Sequence, residues 1–172
     1  MNIILDIDGT LINDVPNEND ELIPRPFLTE FLDYCFENFQ NVSIWTAATS
    51  GWYIYVRSKF LIGRNFDFVH TRYNCTRIAD PDPDTLHPEP ILIKPLKKIW
   101  RKTGYNRHNT LIIDDTPHTY QKNYGNAIHI PTFLGSKDDT CLQDIIELLD
   151  TLKIEFEETG TIRRFDKKIF KQ

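Results

Sequence analysis

Three cysteines in 172 residues are too few, and odd in number, for a disulfide framework. Cys35, Cys75 and Cys141 stand far apart, with no CxxC and no short Cys/His pairing. That spacing excludes the common zinc patterns and reads as core filler in a reducing compartment. No apolar run approaches the ~20 residues of a membrane span. The net charge is −5, so there is no global basic field to draw in nucleic acid or anionic lipid. Neither G-x-x-x-x-G-K-[ST] nor G-x-G-x-x-G occurs, which leaves nucleoside-triphosphate and dinucleotide binding without a motif. Internal repeats and low-complexity segments are also lacking. An apolar strand begins almost at once, which leaves no room for a signal peptide. These absences predict a soluble intracellular chain, cytoplasmic or nuclear, with no membrane partner and no nucleic-acid partner.

What is present starts with Ile3-Ile4-Leu5-Asp6-Ile7-Asp8-Gly9-Thr10. An apolar strand ends in two carboxylates one residue apart. If Asp6 closes the strand and Asp8 lies on the following loop, both converge at the carboxyl end of a sheet, where open α/β sheets bind ligands. Converging carboxylates repel and require a cation or a shared proton. An oxygen-only pair suits Mg²⁺.

Further strands are predicted at Val42–Thr46, Phe66–His70, Tyr73–Ile78, Ile91–Ile93, Thr110–Asp114 and Ala127–Ile130. Helical spacing of apolar residues follows Pro24 and Pro26, recurs from Trp52 to Phe60, and is longest from Leu142 to Leu152; a further helix opens at Leu96 and stops near Gly104. Alternating Pro and Asp makes 79–90 an acidic loop. The chain is long enough for one sizeable core. The alternation of strands and helices predicts an α/β domain over 1–153, built on a parallel sheet with helices on both faces. A small strand-and-loop insert at about 66–93 interrupts it. The remaining 154–172 read as a basic tail, a solvated end or a helper in docking acidic or nucleic-acid partners.

Three strands end in polar groups: Asp6 with Asp8, Thr46, and Asp114 with Asp115. Lys94 ends a shorter apolar run. Parallel strands put their carboxyl ends on one edge, so the four signals can meet in one cleft. Each has a plainer reading. Asp-Gly is a common turn, Thr46 suits any strand, Lys94 has Lys97 and Lys98 beside it, and Asp114-Asp115 can cap a helix. Their order in one chain favours chemistry. Arg57, Arg64, Arg72 and Arg77 read as surface, though Arg72, after a strand, could reach a substrate; His118 reads as an exposed helix start.

In this order the motifs resemble the haloacid dehalogenase superfamily of phosphotransferases, from Ile3 to about Pro131. Trp45-Thr46-Ala47-Ala48, Lys94-Pro95-Leu96 and Ile113-Asp114-Asp115-Thr116-Pro117 are similar to the RNA polymerase II C-terminal-domain phosphatases and their NLI-interacting-factor-like relatives. The resemblance implies a Rossmann-like fold and an Mg²⁺-dependent phosphatase. It implies that Asp6 is the nucleophile that becomes an aspartyl-phosphate, and that Asp8 protonates the leaving oxygen and then activates water. It further implies that Asp6, the Asp8 carbonyl and Asp115 hold Mg²⁺ with Asp114 in support, and that Thr46, the Ala47 amide and Lys94 hold phosphate. Neither interval that could carry a large cap domain is long enough for one. An open cleft follows, which suits a phosphoserine or phosphothreonine on a flexible peptide or protein. A small-molecule or nucleotide phosphatase is the alternative of the same chemistry. A non-catalytic phospho-binding scaffold is another, and a receiver-type domain would need the acidic pair ahead of Thr46 and Lys94.

Overall fold

The computed structural model describes residues 1–13, 21–79, 90–123 and 125–167. The acidic Pro/Asp loop, from 80 to 89, and the end of the basic tail therefore lie outside the described residues. The strands are β1 (Asn2–Leu5), β2 (Asn41–Trp45), β3 (Val69–His70), β4 (Thr76–Ile78), β5 (Ile91–Ile93), β6 (Thr110–Asp114) and β7 (Ala127–His129). The α-helices are α1 (Leu28–Asn38), α2 (Ser50–Phe60) and α3 (Cys141–Thr159). Five strands form a parallel sheet in the order β3-β2-β1-β6-β7. Chain order runs outward in opposite directions from the β1–β6 boundary, and a crevice opens at such a switch point beyond the carboxyl ends. β4 and β5 pair antiparallel as a separate ribbon.

The core follows from alternation along the strands. Ile3, Leu5, Val42, Ile44, Leu111 and Ile113 face one side and join a single cluster with buried residues of α1, α2 and α3. In α3 the buried Leu142, Ile145, Leu148, Leu149 and Leu152 recur at helical spacing. The opposite face carries Ile4, Trp45 and Ile112, covered by Phe68, Leu96, Ile99 and Tyr105. Its helical cover is shorter than expected: a 3₁₀ turn, Leu96–Lys98, stands where the sequence reads as a helix running to Gly104. Lys98, Ile99 and Lys102 each donate three residues back, the tighter pattern used in short connectors. No large cap domain stands over the sheet edge among the described residues.

Three further boundaries differ from expectation by more than two residues. β3 starts at Val69 rather than Phe66. Arg72–Asn74 is a 3₁₀ turn, so β4 starts only at Thr76. α3 runs unbroken across position 153 to Thr159. Beyond it Ile162 is buried, its amide bonds the His108 carbonyl at 2.9 Å, and Lys167 is buried as well. The first part of the supposed tail is thus packed against the domain.

Candidate active site

Register decides which side chains meet. Leu5 pairs with Ile113 across β1 and β6, so Asp6 and Asp114, one step further on, lie side by side. By parity both share the face of Ile4 and Ile112. Lys94 enters from that face. Its Nζ lies 2.5 Å from Asp6 Oδ1 and 2.7 Å from Asp114 Oδ2, with the side chain 1 % exposed. Lys94 does not come from a strand of the main sheet, as the edge argument supposes. It follows β5, and the β4–β5 ribbon delivers it. The backbone is held there by its amide bond to the Thr119 carbonyl and by Asn123, whose side chain donates to Lys94 O at 3.1 Å and accepts from Leu96 N at 3.0 Å.

Burial, and then the neighbouring Asp114 charge, push the Asp6 carboxyl well above its ordinary range despite Lys94. Burial pulls the Lys94 ammonium pKa down; the charges and hydrogen bonds of Asp6 and Asp114 outweigh it and keep the lysine protonated. Asp115 is raised too, mainly by burial, with Asp114 adding to it against a hydrogen bond from Thr132. Oxygens of Asp6, Asp114 and Asp115 all lie within 4.8 Å of one another. Three buried carboxylates facing one ammonium leave negative charge uncompensated. Such an oxygen-only set fits a hard divalent cation.

Asp8 is held differently. The Trp52 indole Nε1 donates to Asp8 Oδ1 at 2.6 Å, and the Thr46 hydroxyl to Oδ2 at 3.1 Å. Thr46 lies just past β2, and its oxygen accepts the Ala48 amide at 2.9 Å. Arg72 ties down the same loop, its amide on Ala48 O at 2.8 Å and its Nε on Ala47 O at 3.0 Å. Its guanidinium is thereby fixed beside Thr46 and Ala47. His118 is exposed.

The loop after β1 closes tightly, with Leu11 N on Ile7 O at 2.8 Å and Gly9 N on Ile12 O at 2.9 Å. Gly9 has φ +71°, and a Cβ there would sit 2.8 Å from Asp115 Cγ. Only glycine meets both demands. Arg25, 1 % exposed, braces this loop. It donates to Thr10 O at 3.2 Å and Pro131 O at 3.0 Å, and forks onto Asp139 at 2.8 and 2.9 Å. Thr132, next to Pro131, bonds Asp115 Oδ2 at 2.8 Å, and Thr119 bonds Asp114 Oδ2 at 2.7 Å. Sequence reading singled out none of Trp52, Arg25, Thr119, Asn123 or Thr132. Only Thr119 is close in the chain to the group it holds, Asp114; Thr132, Asn123, Trp52 and Arg25 hold Asp115, Lys94, Asp8 and Asp139 from 17 to 114 positions away.

The model of the family described as NLI interacting factor-like phosphatase matches residues 1–160. Protein 355R of Invertebrate iridescent virus 6, named as CTD phosphatase-like, is 29% identical over 88% of this chain and 96% of its own length. The ubiquitin-like domain-containing CTD phosphatase 1 of Danio rerio is 31% identical over 77% of this chain. This chain spans only 42% of that relative. Among solved structures, a protein from Listeria monocytogenes serotype 4b aligns with TM-score 0.60 and 18% identity, over 89% of this chain and 98% of that one. The essential RNA polymerase II CTD phosphatase Fcp1 aligns with TM-score 0.52 and 18% identity, over 91% of this chain and 50% of its own. These two likenesses bear on the fold. Among the described residues, no helix is long and apolar enough to cross a membrane.

Proposed function

This chain belongs to the NLI interacting factor-like phosphatase family, and from that premise we propose an Mg²⁺-dependent phosphomonoesterase that works through an aspartyl-phosphate on Asp6. We assign its substrate as phosphoserine or phosphothreonine in a protein. Membership makes the chain a phosphatase of the haloacid dehalogenase type; the residue roles, metal and substrate class are the proposal.

One observation carries the reading. Two carboxylates of one loop sit in different surroundings: Asp6 in the Lys94–Asp114 cluster, Asp8 on Trp52 and Thr46. Such separation divides nucleophile from acid and base. In the first step an Asp6 oxygen bonds phosphorus while the ester P–O bond breaks, and Asp8 gives its proton to the leaving oxygen. In the second, Asp8 takes a proton from water, the water oxygen bonds phosphorus, and the Asp6–P bond breaks. Inorganic phosphate leaves and Asp6 is restored. Lys94 balances charge on Asp6 and on the phosphoryl oxygens. Thr46 and the Ala47 amide orient the phosphoryl group, and Arg72 stands at the same loop.

Asp6, Asp114 and Asp115, with the Asp8 carbonyl, would hold Mg²⁺. Bound there, the ion offsets repulsion between an anionic nucleophile and an anionic phosphate. The open sheet edge favours a peptide-borne phosphate over a small metabolite, which needs enclosing walls.

The test is phosphate release from p-nitrophenyl phosphate with and without Mg²⁺, alongside Asp6→Asn. Loss of turnover both with chelator and in Asp6→Asn is expected. Undiminished turnover in Asp6→Asn overturns the nucleophile assignment. Faster turnover of sugar phosphates or nucleotides than of phosphopeptides overturns the substrate class.

A further inference from the structure

Just past the Lys94 loop the surface changes character. Two adjoining concavities, of about 380 and 290 Å³, share Lys97 as a common wall. Their walls carry Lys97, Lys98, Arg101, Arg107, Lys122 and Arg163, all exposed. Among the described residues no carboxylate lines either concavity, and none of the six cations makes an ion pair. The chain as a whole carries −5, so this is a local reversal of sign. Clustered cations with no counter-charge among the described residues repel one another, and an anionic ligand relieves that repulsion.

The groove is also joined to the catalytic loop. Pro95, next to Lys94, lines the first concavity. Asn123 lines the second, and its side chain clamps Lys94 O and Leu96 N. Arg163 comes from the segment after α3 that packs onto the domain, next to Ile162, whose amide bonds the His108 carbonyl.

We propose that this groove is a docking site for an acidic stretch of the phosphorylated protein substrate, separate from the pocket that takes the scissile phosphate. The proposal rests on the phosphatase reading for the identity of the partner. A peptide fits better than nucleic acid. Non-specific nucleic-acid grooves interleave cations with a series of aromatic stacking faces, whereas among the described residues one half-buried aromatic, Trp100, lines this groove. Two concavities side by side suit an extended chain bearing several carboxylates or phosphates.

The experiment uses the full chain carrying Asp6→Asn, which holds substrate without turnover. Fluorescence anisotropy compares a phosphoserine peptide with the same peptide extended by a run of glutamates. The extension is expected to tighten binding about tenfold at low salt, since several exposed pairs each contribute modestly, and the gain fades as salt rises. Lys97→Glu with Lys122→Glu should abolish the gain, and the milder Lys97→Ala with Lys122→Ala should reduce it. On an Asp6 background both pairs should leave turnover of p-nitrophenyl phosphate unchanged. Equal affinity for the two peptides, or an undiminished gain in the double variants, overturns the docking site. Displacement of the extended peptide by a single-stranded RNA at lower concentration than by unlabelled peptide also overturns it, in favour of nucleic acid. Absent p-nitrophenyl phosphate turnover would sink the phosphatase reading, while the anisotropy would still report on the groove.

Discussion

Trp52 and Asp8 meet through one hydrogen bond: the indole Nε1 donates to Asp8 Oδ1 at 2.6 Å. The other Asp8 oxygen takes the Thr46 hydroxyl, whose single proton a phosphoryl oxygen would also claim. On the proposed function Thr46 turns from Asp8 to the phosphate, while Trp52 goes on holding Oδ1. Trp52→Phe removes a bond to the carboxylate that Asp8 becomes as it gives up its proton, worth about 1.5–3 kcal/mol. Hydrolysis of alkyl phosphates should fall roughly ten- to a hundredfold. Esters with a good leaving group need less protonation and should be nearly spared. Equal loss for both ester types, measured as kcat, would show that Trp52 does not position the acid.

Gly9 is required twice, by its left-handed backbone and by the approach of Asp115. Gly9→Ala should cost roughly 1–2 kcal/mol in backbone conformation and also displace the Asp115 carboxylate. Mg²⁺ affinity, followed by calorimetry, should weaken more than the denaturation midpoint shifts. An unchanged affinity would remove Asp115 from the metal set.

The Arg25–Asp139 pair, its arginine buried and its aspartate half-buried, braces the loop after β1 against the Pro131–Thr132 segment. Burial alone would raise the Asp139 carboxyl, but the hydrogen bonds and charge of Arg25 hold it below its ordinary value. Its stabilisation is complete above the ordinary carboxylate range and is lost as pH falls through the lowered folded value. Asp139→Asn leaves the buried Arg25 guanidinium without its counter-charge, which costs about 1–3 kcal/mol. It should also flatten the acid limb when urea midpoints of the two proteins are compared down to pH 2.

Lys167 donates to the Ile162 and Phe165 carbonyls from a buried position. Burial lowers its ammonium to about 8 from an ordinary 10.5, against the raising charges of Glu155 and Asp166. Between those values the unfolded chain holds a proton that the folded chain lacks, so this residue makes stability rise with pH there. Below the folded value its penalty is complete and constant. Lys167→Met should remove the rise, seen in the slope of urea midpoints between pH 7 and 10.

Much of this was legible in the chain itself. β1, β2 and β6 are short apolar runs whose core positions are buried, and each run halts at a polar residue. Desolvation makes such runs strands of a parallel sheet, and the residue that halts each run is where the sheet edge meets water. Asp6, Thr46 and Asp114 could therefore be placed before any coordinates. α1 and α3 were legible for the same reason, since their buried residues recur at the helical period.

Tertiary structure decided the rest, because it rests on contacts between distant segments that leave no local pattern. Lys94 reaches Asp6 across 88 positions, carried by a two-stranded ribbon outside the main sheet. Trp52 on α2 holds Asp8 across 44 positions, and Arg25 holds Asp139 across 114. The six cations of the groove are scattered from Lys97 to Arg163 and read singly as solvated surface. Periodicity reports how one segment divides between core and water; which partner a buried charge finds is settled only when the packed segments bring the two together.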